Sequence, residues 1–283
     1  MFLPKWYWFT LSLVVTLSVA VLYILSTPNV YTRSASILVK DDSKGGSASS
    51  VLSNDFADLG MFKSNTNINN ELLTISSPTL MTEVVKRLGL NETYTIRNGL
   101  KRVQLYKASP VSVMPKDKNS IVGFQIELNS KEKFTLSDFM LGGEEVDDVV
   151  SGAFNDSIQT PVGSMYISTT QYFNEEYVGA SITYHQGGIV GTTDYYTKNL
   201  RTELGNQDAT IINLSIDDAS IQKAEDILNT LIEVYNEKWI QDKNQIAVST
   251  SQFIGDRLGV IENELGHVDE NISCLLYTSP SPR

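Results

Sequence analysis

The sequence is poor in the residue types from which catalytic and redox sites are commonly built. Its 283 residues include a single cysteine, Cys274, which rules out an internal disulfide, a multi-thiolate metal site and a dithiol redox motif. The two histidines, His185 and His267, lie far apart in sequence, and neither has a partner at metal-ligand spacing. A Gly-x-x-x-x-Gly-Lys-Ser/Thr phosphate loop and a Gly-x-Ser-x-Gly nucleophile motif are both missing. We therefore assign no catalytic, cofactor-binding or metal-binding residue.

Positive charge is also scarce. The chain has 22 Lys and Arg residues against 33 Asp and Glu residues, which gives a formal net charge of -11. An acidic surface repels phosphate groups, so nucleic acid is excluded as a partner. Adjacent acidic pairs could act as the two carboxylates of a glycosidase, but pairs in polar segments are usually solvated, and we interpret them so. These pairs are Glu144-Glu145, Asp147-Asp148 and Glu175-Glu176.

A long uncharged, apolar segment lies near the N-terminus. Residues 6–32 carry no charge, and residues 9–25 are mostly aliphatic or aromatic. This length matches the roughly 20 apolar residues that cross a bilayer as a helix. We interpret residues 1–28 as a short stub and a retained transmembrane helix. A cleaved signal peptide is the alternative, but its small-residue cleavage pattern does not follow the segment. We expect the N-terminus on the inner side of the membrane and the rest of the chain on the outer side.

The stretch 29–217 mixes two hydrophobic periodicities, which predicts an α+β domain. Alternation with period two predicts strands at 31–40, 121–128, 133–136, 164–169 and 210–216. Turns are expected at Gly142-Gly143, at Gly152 and at 161–163. Residues 41–70 are rich in Ser, Gly, Asn and Asp, and we expect a loop there. The strands at Ile37 and Ile212 are expected to pair, because each is short and apolar on one face.

Two short helices are predicted within residues 71–89. Pro78 separates them, since proline cannot donate a hydrogen bond to the preceding turn. Ser77 is expected to cap the second helix, with Pro78 at its first position and Gly89 at its end. One face of this helix should pack into the core; its residues are Leu80, Met81, Val84, Val85 and Leu88.

The most distinctive element is a proline-free helix predicted at 218–272. It spans about 55 residues, or roughly 80 Å, and Asp217 or Asp218 is expected to cap it. Two apolar stripes at heptad spacing predict a coiled-coil-like pairing with another helix, in this chain or in a neighbouring copy. The stripes are Ile221, Ala224, Leu228, Leu231 and Tyr235, then Ile254, Leu258, Ile261, Leu265, Val268 and Ile272. Residues 273–283 break the pattern and are interpreted as a foreign or disordered tail.

Five segments carry a resemblance to a known family. They are residues 28–40 (PNVYTRSASILVK), 69–81 (NNELLTISSPTLM) with 84–88 (VVKRL), 208–218 (DATIINLSIDD), 223–235 (KAEDILN and, from 232, IEVY) and 251–254 (SQFI). Their order resembles the Wzz-type chain-length determinants, also called polysaccharide co-polymerases. Within that group the chain is most similar to the ectodomain of the membrane tyrosine autokinases of capsule and exopolysaccharide synthesis. The likeness covers residues 1–272.

The resemblance implies a function in assembly rather than catalysis. It implies an anchor in the bacterial inner membrane, a periplasmic α+β base and a long protruding helix, arranged in a ring-like homo-oligomer. Such a ring regulates the chain length and export of capsular polysaccharide, exopolysaccharide or lipopolysaccharide O-antigen. Its partners would be a polysaccharide polymerase, export proteins, membrane lipid and the growing polysaccharide. The family's second membrane helix is missing from this chain, which is therefore single-pass and fragment-like.

Two other interpretations remain open. The chain could be the non-catalytic N-terminal fragment of a membrane protein-tyrosine kinase, or a membrane-tethered binding module with a coiled-coil stalk. The reading frame after Arg283 separates them. A second apolar 20-mer followed by a phosphate loop would indicate the kinase, and a stop soon after the 20-mer would indicate the co-polymerase. The absence of a second 20-mer would indicate the tethered module.

Overall fold

The structure, a computed structural model, describes residues 6–27, 29–39, 68–99, 101–117, 120–205 and 211–278. The fold is α+β and rich in antiparallel sheet, with an apolar helix at one end of the chain and a long helix at the other. The predicted fold class is confirmed at this level. The helices are α1 (Trp6–Ser26), α2 (Ile68–Ile75), α3 (Pro78–Leu88), α4 (Ile189–Asn199) and α5 (Ile221–Thr278). The strands are β1 (Tyr31–Leu38), β2 (Glu92–Asn98), β3 (Lys101–Gln104), β4 (Val111–Pro115), β5 (Val122–Leu128), β6 (Lys133–Leu141), β7 (Glu144–Val146), β8 (Val150–Ala153), β9 (Asp156–Thr160), β10 (Gly163–Thr169), β11 (Ser181–Gln186), β12 (Arg201–Leu204) and β13 (Ile211–Asp218).

One antiparallel sheet brings distant parts of the chain together. Its strand order is β1-β13-β12. Ile37 is the direct register partner of Ile212, which confirms the predicted pairing. The apolar face of β13 is fully buried, as its alternation predicts, because Ile212, Leu214 and Ile216 all face the core. At the other end of the ladder Tyr31 lies opposite Asp218.

The helix α3 has the ends that its sequence predicts. The Ser77 side chain accepts a hydrogen bond from the Leu80 amide at 3.5 Å, and Pro78 opens the helix. Gly89 ends it in the left-handed conformation with φ of 61°, where a side chain would strain the backbone. The predicted apolar face is confirmed: Leu88 is half-buried, and the other four members, Leu80, Met81, Val84 and Val85, are buried.

Between α3 and α4 the chain forms two sheets that share one hydrophobic core. The larger has seven strands, in the order β3-β2-β11-β5-β6-β7 with β8 also paired to β6. The smaller has the order β4-β10-β9. Both sheets contribute buried side chains to one cluster, which includes four phenylalanines and therefore buries much apolar area. These four are Phe124, Phe134, Phe139 and Phe154.

Gly152 is not the turn residue that the sequence suggested. It lies inside β8, and a Cβ atom at this position would be 2.9 Å from Phe134 Cζ and 3.0 Å from Ile158 Cγ2. The absence of a side chain lets the aromatic ring pack against the strand backbone, which explains the glycine without a turn. The expected turns at Gly142-Gly143 and before Gly163 are confirmed. Most of the expected loop at 41–70 lies outside the described residues, but its last three residues begin α2.

The long helix begins and ends at different residues from those predicted. Asp217 and Asp218 complete β13, and the helix begins at Ile221. Ser220 is the cap, since its hydroxyl accepts a hydrogen bond from the Lys223 amide at 3.4 Å. The helix continues to Thr278 rather than ending near Ile272, because no proline occurs before Pro280 to stop it.

The chain divides into two compact units, residues 1–232 and 233–283. In the first unit, Ala224, Ile227, Leu228 and Leu231 are buried, so the first turns of α5 belong to the core. In the second, the described residues form a single helix. A helix without a described partner does not form a coiled coil, so this finer part of the predicted architecture is not shown.

Candidate functional site

The N-terminal helix α1 is long and apolar enough to cross a membrane over Trp6–Ile24. None of this segment is buried against the rest of the protein. Aromatic side chains lie near both ends, where rings favour the headgroup level of a bilayer. Length and composition fit a membrane anchor and a signal sequence alike.

A short connection joins this helix to the sheet. Strand β1 begins at Tyr31, five residues after Ser26, and pairs along its whole length with β13. Side chains reinforce the ladder: Thr32 donates to Asp217 at 2.6 Å, and Ser36 donates to Asn213 at 2.8 Å. Since β13 leads into α5 through only Ala219 and Ser220, the chain segments that follow α1 and precede α5 are held side by side.

A buried ion pair fixes the start of α5. Lys223 Nζ lies 3.4 Å from Asp218 Oδ2, and the two side chains are only 5% and 6% exposed. Lys223 Nζ also lies 3.3 Å from Gln104 Oε1 and 5.2 Å from the centroid of the Tyr196 ring. Burial lowers the pKa of Lys223, and the charge and hydrogen bond of Asp218 oppose that shift. The amine is thus held by a carboxylate, an amide oxygen and an aromatic face.

The tyrosine beside this pair stays uncharged at neutral pH. Burial raises the pKa of the Tyr196 phenol, and the nearby Asp218 carboxylate adds to the shift. Asp218 Oδ1 accepts a hydrogen bond from the Ser220 amide at 2.9 Å, so both of its oxygens have partners.

Outside the core, an exposed ion pair links β1 directly to α5. Arg33 of β1 pairs with Glu225 of α5 at 3.1 Å.

A cavity of about 810 Å³ opens beside the ion pair. Its wall combines the start of α5, the helix α4, the end of β13 and the sheet strands β3 and β11. Val30, which precedes β1, also lines it, so the cavity lies at the α1 end of the β1 ladder. The polar wall residues are Asn91, Thr93, Gln104, His185, Thr192, Tyr195, Tyr196, Asn199, Asp217, Asp218 and Lys223.

A second cavity, of about 640 Å³, lies on the outer face of the seven-stranded sheet. A bulge in β6 shapes it: the register shifts between Gly123 and Gln125, and Asp138 adopts φ of 53°. The bulge turns two successive residues, Ser137 and Asp138, away from the core. Gln125 bridges this position to the next strand, donating to Asp138 and accepting from Ser181 at 2.8 Å.

The polar residues considered from sequence are not gathered into a catalytic arrangement. His185 lines both cavities, whereas His267 is exposed on the second unit. The six residues of the acidic pairs are exposed, in agreement with the interpretation that they are solvated. Glu175 forms an ion pair with Lys131 at 2.7 Å, which lowers the pKa of this carboxyl. In the parts of the chain that the structure describes, no group of three or more His, Cys, Asp or Glu residues is placed to hold a metal ion.

Sequence reasoning missed Lys223, Gln104 and Tyr196. A single lysine within a helix is normally exposed, and the only available signal was its place beside Ala224 on the apolar stripe. The charged groups of this arrangement are paired with one another, which stabilises the junction of β13 with α5. No protein-family model matches the chain, and no curated protein matches its sequence.

Proposed function

We propose that the chain belongs to a bacterial polysaccharide co-polymerase, which regulates the chain length and export of capsular polysaccharide, exopolysaccharide or lipopolysaccharide O-antigen. In this proposal α1 is a single-pass anchor in the inner membrane, and the bulk of the chain is periplasmic. Such a protein needs no catalytic residue, because it acts as a scaffold for a polymerase, export proteins and the growing polysaccharide. Its other contacts are membrane lipid and further copies of itself.

One observation carries the proposal. The strand that follows α1 is paired, residue by residue, with the strand that precedes the 58-residue helix α5. This continuous ladder supports a scaffold in which movement at the membrane end of β1 changes the direction of the long helix. The ion pairs Lys223–Asp218 and Arg33–Glu225 stiffen the same junction. A stiff junction at this point fits a scaffold that acts through the position of its long helix.

Assembly into a ring is the second part of the proposal. In the second unit, an apolar stripe of α5 is between 42% and 62% exposed; its members are Ile254, Leu258, Ile261, Leu265 and Val268. The spacing alternates between four and three residues, which is the seam of a coiled coil. Helices of neighbouring copies, or a returning helix of the same protein, would cover this stripe. Its exposure in a single chain supports association, because extended apolar surface tends to be buried.

The test is to place charges on the stripe. Leu258→Glu combined with Leu265→Glu should reduce the oligomer mass of the detergent-solubilised protein, measured by light scattering. In cells carrying the complete gene, the same change should alter the polysaccharide length distribution on gels. The matched control is Gln252→Glu with Asn263→Glu, which adds the same charge at exposed positions off the stripe. If the stripe variant keeps both the wild-type mass and the wild-type length distribution, the scaffold proposal is wrong.

A further inference from the structure

The cavities of about 810 Å³ and 640 Å³ share one residue. His185 of β11 lines the larger cavity on one side and the smaller cavity on the other. Gly123 lies beside it, and a Cβ atom there would be 3.5 Å from His185 Nδ1. Because position 123 has no side chain, the floor of the second cavity is open next to the imidazole. A linear ligand could therefore pass from one cavity to the other across His185.

Both cavities present groups that exchange hydrogen bonds with hydroxyls. The side chains of Asn91 and Asn199 line the larger cavity, are half-buried and form no hydrogen bond to any residue that the structure describes. An amide donates and accepts at once, which matches the paired hydroxyls of a sugar ring. In the smaller cavity, Thr183 adds a hydroxyl. Half-buried polar groups without partners are a favourable place for a ligand, because binding supplies the missing hydrogen bonds.

An aromatic ring completes the larger cavity. Tyr195 lines it with 58% of its surface exposed, and its ring is held edge-on against Tyr196 at a centroid distance of 5.1 Å. A tyrosine of this kind offers a flat apolar face and a hydroxyl tip, at the cost of ordering only a short side chain. The C–H face of a sugar ring can pack on such a surface while its hydroxyls reach the two asparagines.

The charged residues that line the two cavities disfavour an anionic ligand. The amine of Lys223 is already paired with Asp218, and Asp217 is paired with Arg201, so neither cation is free to bind a ligand. The smaller cavity contains one further cation, Arg102, against the three carboxylates of Asp138, Glu145 and Asp147. These carboxylates would repel a polyanionic chain in the smaller cavity.

We propose that the two cavities form one groove that binds several units of an uncharged glycan, with Tyr195 as the stacking surface and Asn91 and Asn199 as the main hydrogen-bonding groups. The proposal rests on the proposed function, because the growing polysaccharide is the ligand that such a protein would meet. It adds a place for that contact and a preference for neutral over acidic sugars. The groove also places the glycan at the α1 end of the β1 ladder.

The test measures binding by the purified full chain in mild detergent. Maltohexaose, mannohexaose and chitohexaose serve as uncharged probes, and hexagalacturonate is the anionic probe. We expect saturable calorimetric binding of at least one uncharged hexasaccharide, with weaker binding of the anion. Tyr195→Ala, Asn91→Ala and Asn199→Ala should each weaken binding by up to about tenfold, the effect of losing one stacking or hydrogen-bonding contact.

Two further variants separate a binding role from a folding role. Gly123→Gln fills the floor of the smaller cavity, and its Cβ would make only ordinary contacts of 3.5 to 3.7 Å, so the fold should persist while binding weakens. Tyr172→Ala is the control, since Tyr172 is 45% exposed and lines neither cavity. Lack of binding by all three uncharged probes, tighter binding of hexagalacturonate, or groove variants that bind like the control would each overturn the proposal. The assembly test uses different residues and different readouts, so either proposal can fail without the other.

Discussion

The buried pair Lys223–Asp218 allows a sharp test of what holds the base of α5. Replacing Lys223 by methionine keeps the length of the side chain but removes the charge. Asp218 would then be left with a carboxylate that is 6% exposed and no cation beside it. Breaking a buried pair by removing one partner costs about 3–5 kcal/mol, because the remaining charge is uncompensated. For a domain of this size, that corresponds to a fall in melting temperature of roughly 6–20 °C.

A double variant tests whether the uncompensated charge of Asp218 is the cause of the lost stability. Adding Asp218→Asn to Lys223→Met removes the stranded charge, while the Asn oxygen can still accept the hydrogen bond from the Ser220 amide. We expect the double variant to return to within about 1–2 kcal/mol of the wild type, as is common when both charges of a buried pair are replaced. Circular dichroism of the full chain in detergent, followed during heating and in urea, would measure all three proteins.

A more exposed ion pair, between Asp226 of α5 and Lys107 in the connection from β3 to β4, is the matched control. Lys107 and Asp226 lie 2.7 Å apart, but their side chains are 53% and 25% exposed. Lys107→Met should therefore cost less than about 1 kcal/mol. The reasoning would be refuted if Lys223→Met were no more destabilising than Lys107→Met, or if the double variant were as unstable as the single one.

Three further predictions address other parts of the chain. Burial raises the pKa of Tyr94 from 10.0 to about 12, so the neutral phenol stabilises the fold below pH 10. Tyr94 should account for about 2–3 kcal/mol of the stability lost as pH rises from 10 to 12 in denaturation series, beside the losses from other buried tyrosines, and Tyr94→Phe should make the fall smaller by that amount; an unchanged slope would contradict it. Gly152→Ala should lower stability by about 1–3 kcal/mol in thermal melts through its clash with Phe134, whereas Gly191→Ala, which meets nothing within 4 Å, should not. Val14→Arg should release the protein from carbonate-washed membranes, since a central charge costs about 2.5–3.5 kcal/mol; full retention would show that α1 is not the anchor.

Local sequence patterns predicted the helices and strands that are determined by residues close together in the chain. The cap and apolar face of α3 follow from Ser77, Pro78 and the helical spacing, and they are found as expected. Strands β5 and β13 follow from strict alternation. The pairing of Ile37 with Ile212 was also predictable, because both strands are short, are apolar on one face and flank helices that were expected to share a core.

Two of the strands that were missed are either very short or carry a polar residue at a core position. β3 has only four residues, and β11 buries a glutamine, Gln186, on its inner face beside Ile182 and Tyr184. Gln186 is satisfied there because its amide donates to the backbone oxygens of Asp117 and Ser120. Alternation of apolar residues does not predict a strand in which a hydrogen-bonded polar residue occupies a core position.

The candidate groove could not be read from sequence for a related reason. Its walls come from seven separate stretches, and residues such as Asn91 and Asn199 have no local motif. Their closeness depends on β11 lying between β2 and β5, and that strand order is a long-range property. The bulge at Asp138 could not be predicted from sequence either. A non-glycine residue in the left-handed backbone conformation has no sequence pattern beyond a preference for residues such as aspartate.

The β1 ladder joins the segment that follows α1 to the strand that precedes α5. Along β1 the half-buried residues are Arg33, Ala35 and Ile37, and each lies opposite a buried aliphatic residue of β13. A slip of one residue would turn Ser34 and Ser36 toward the core and Ile37 toward solvent. It would also separate Arg33 from Glu225. The register is therefore fixed by burial and charge together, so a pull on β1 reaches α5 as a movement of the whole strand pair rather than as sliding between the strands.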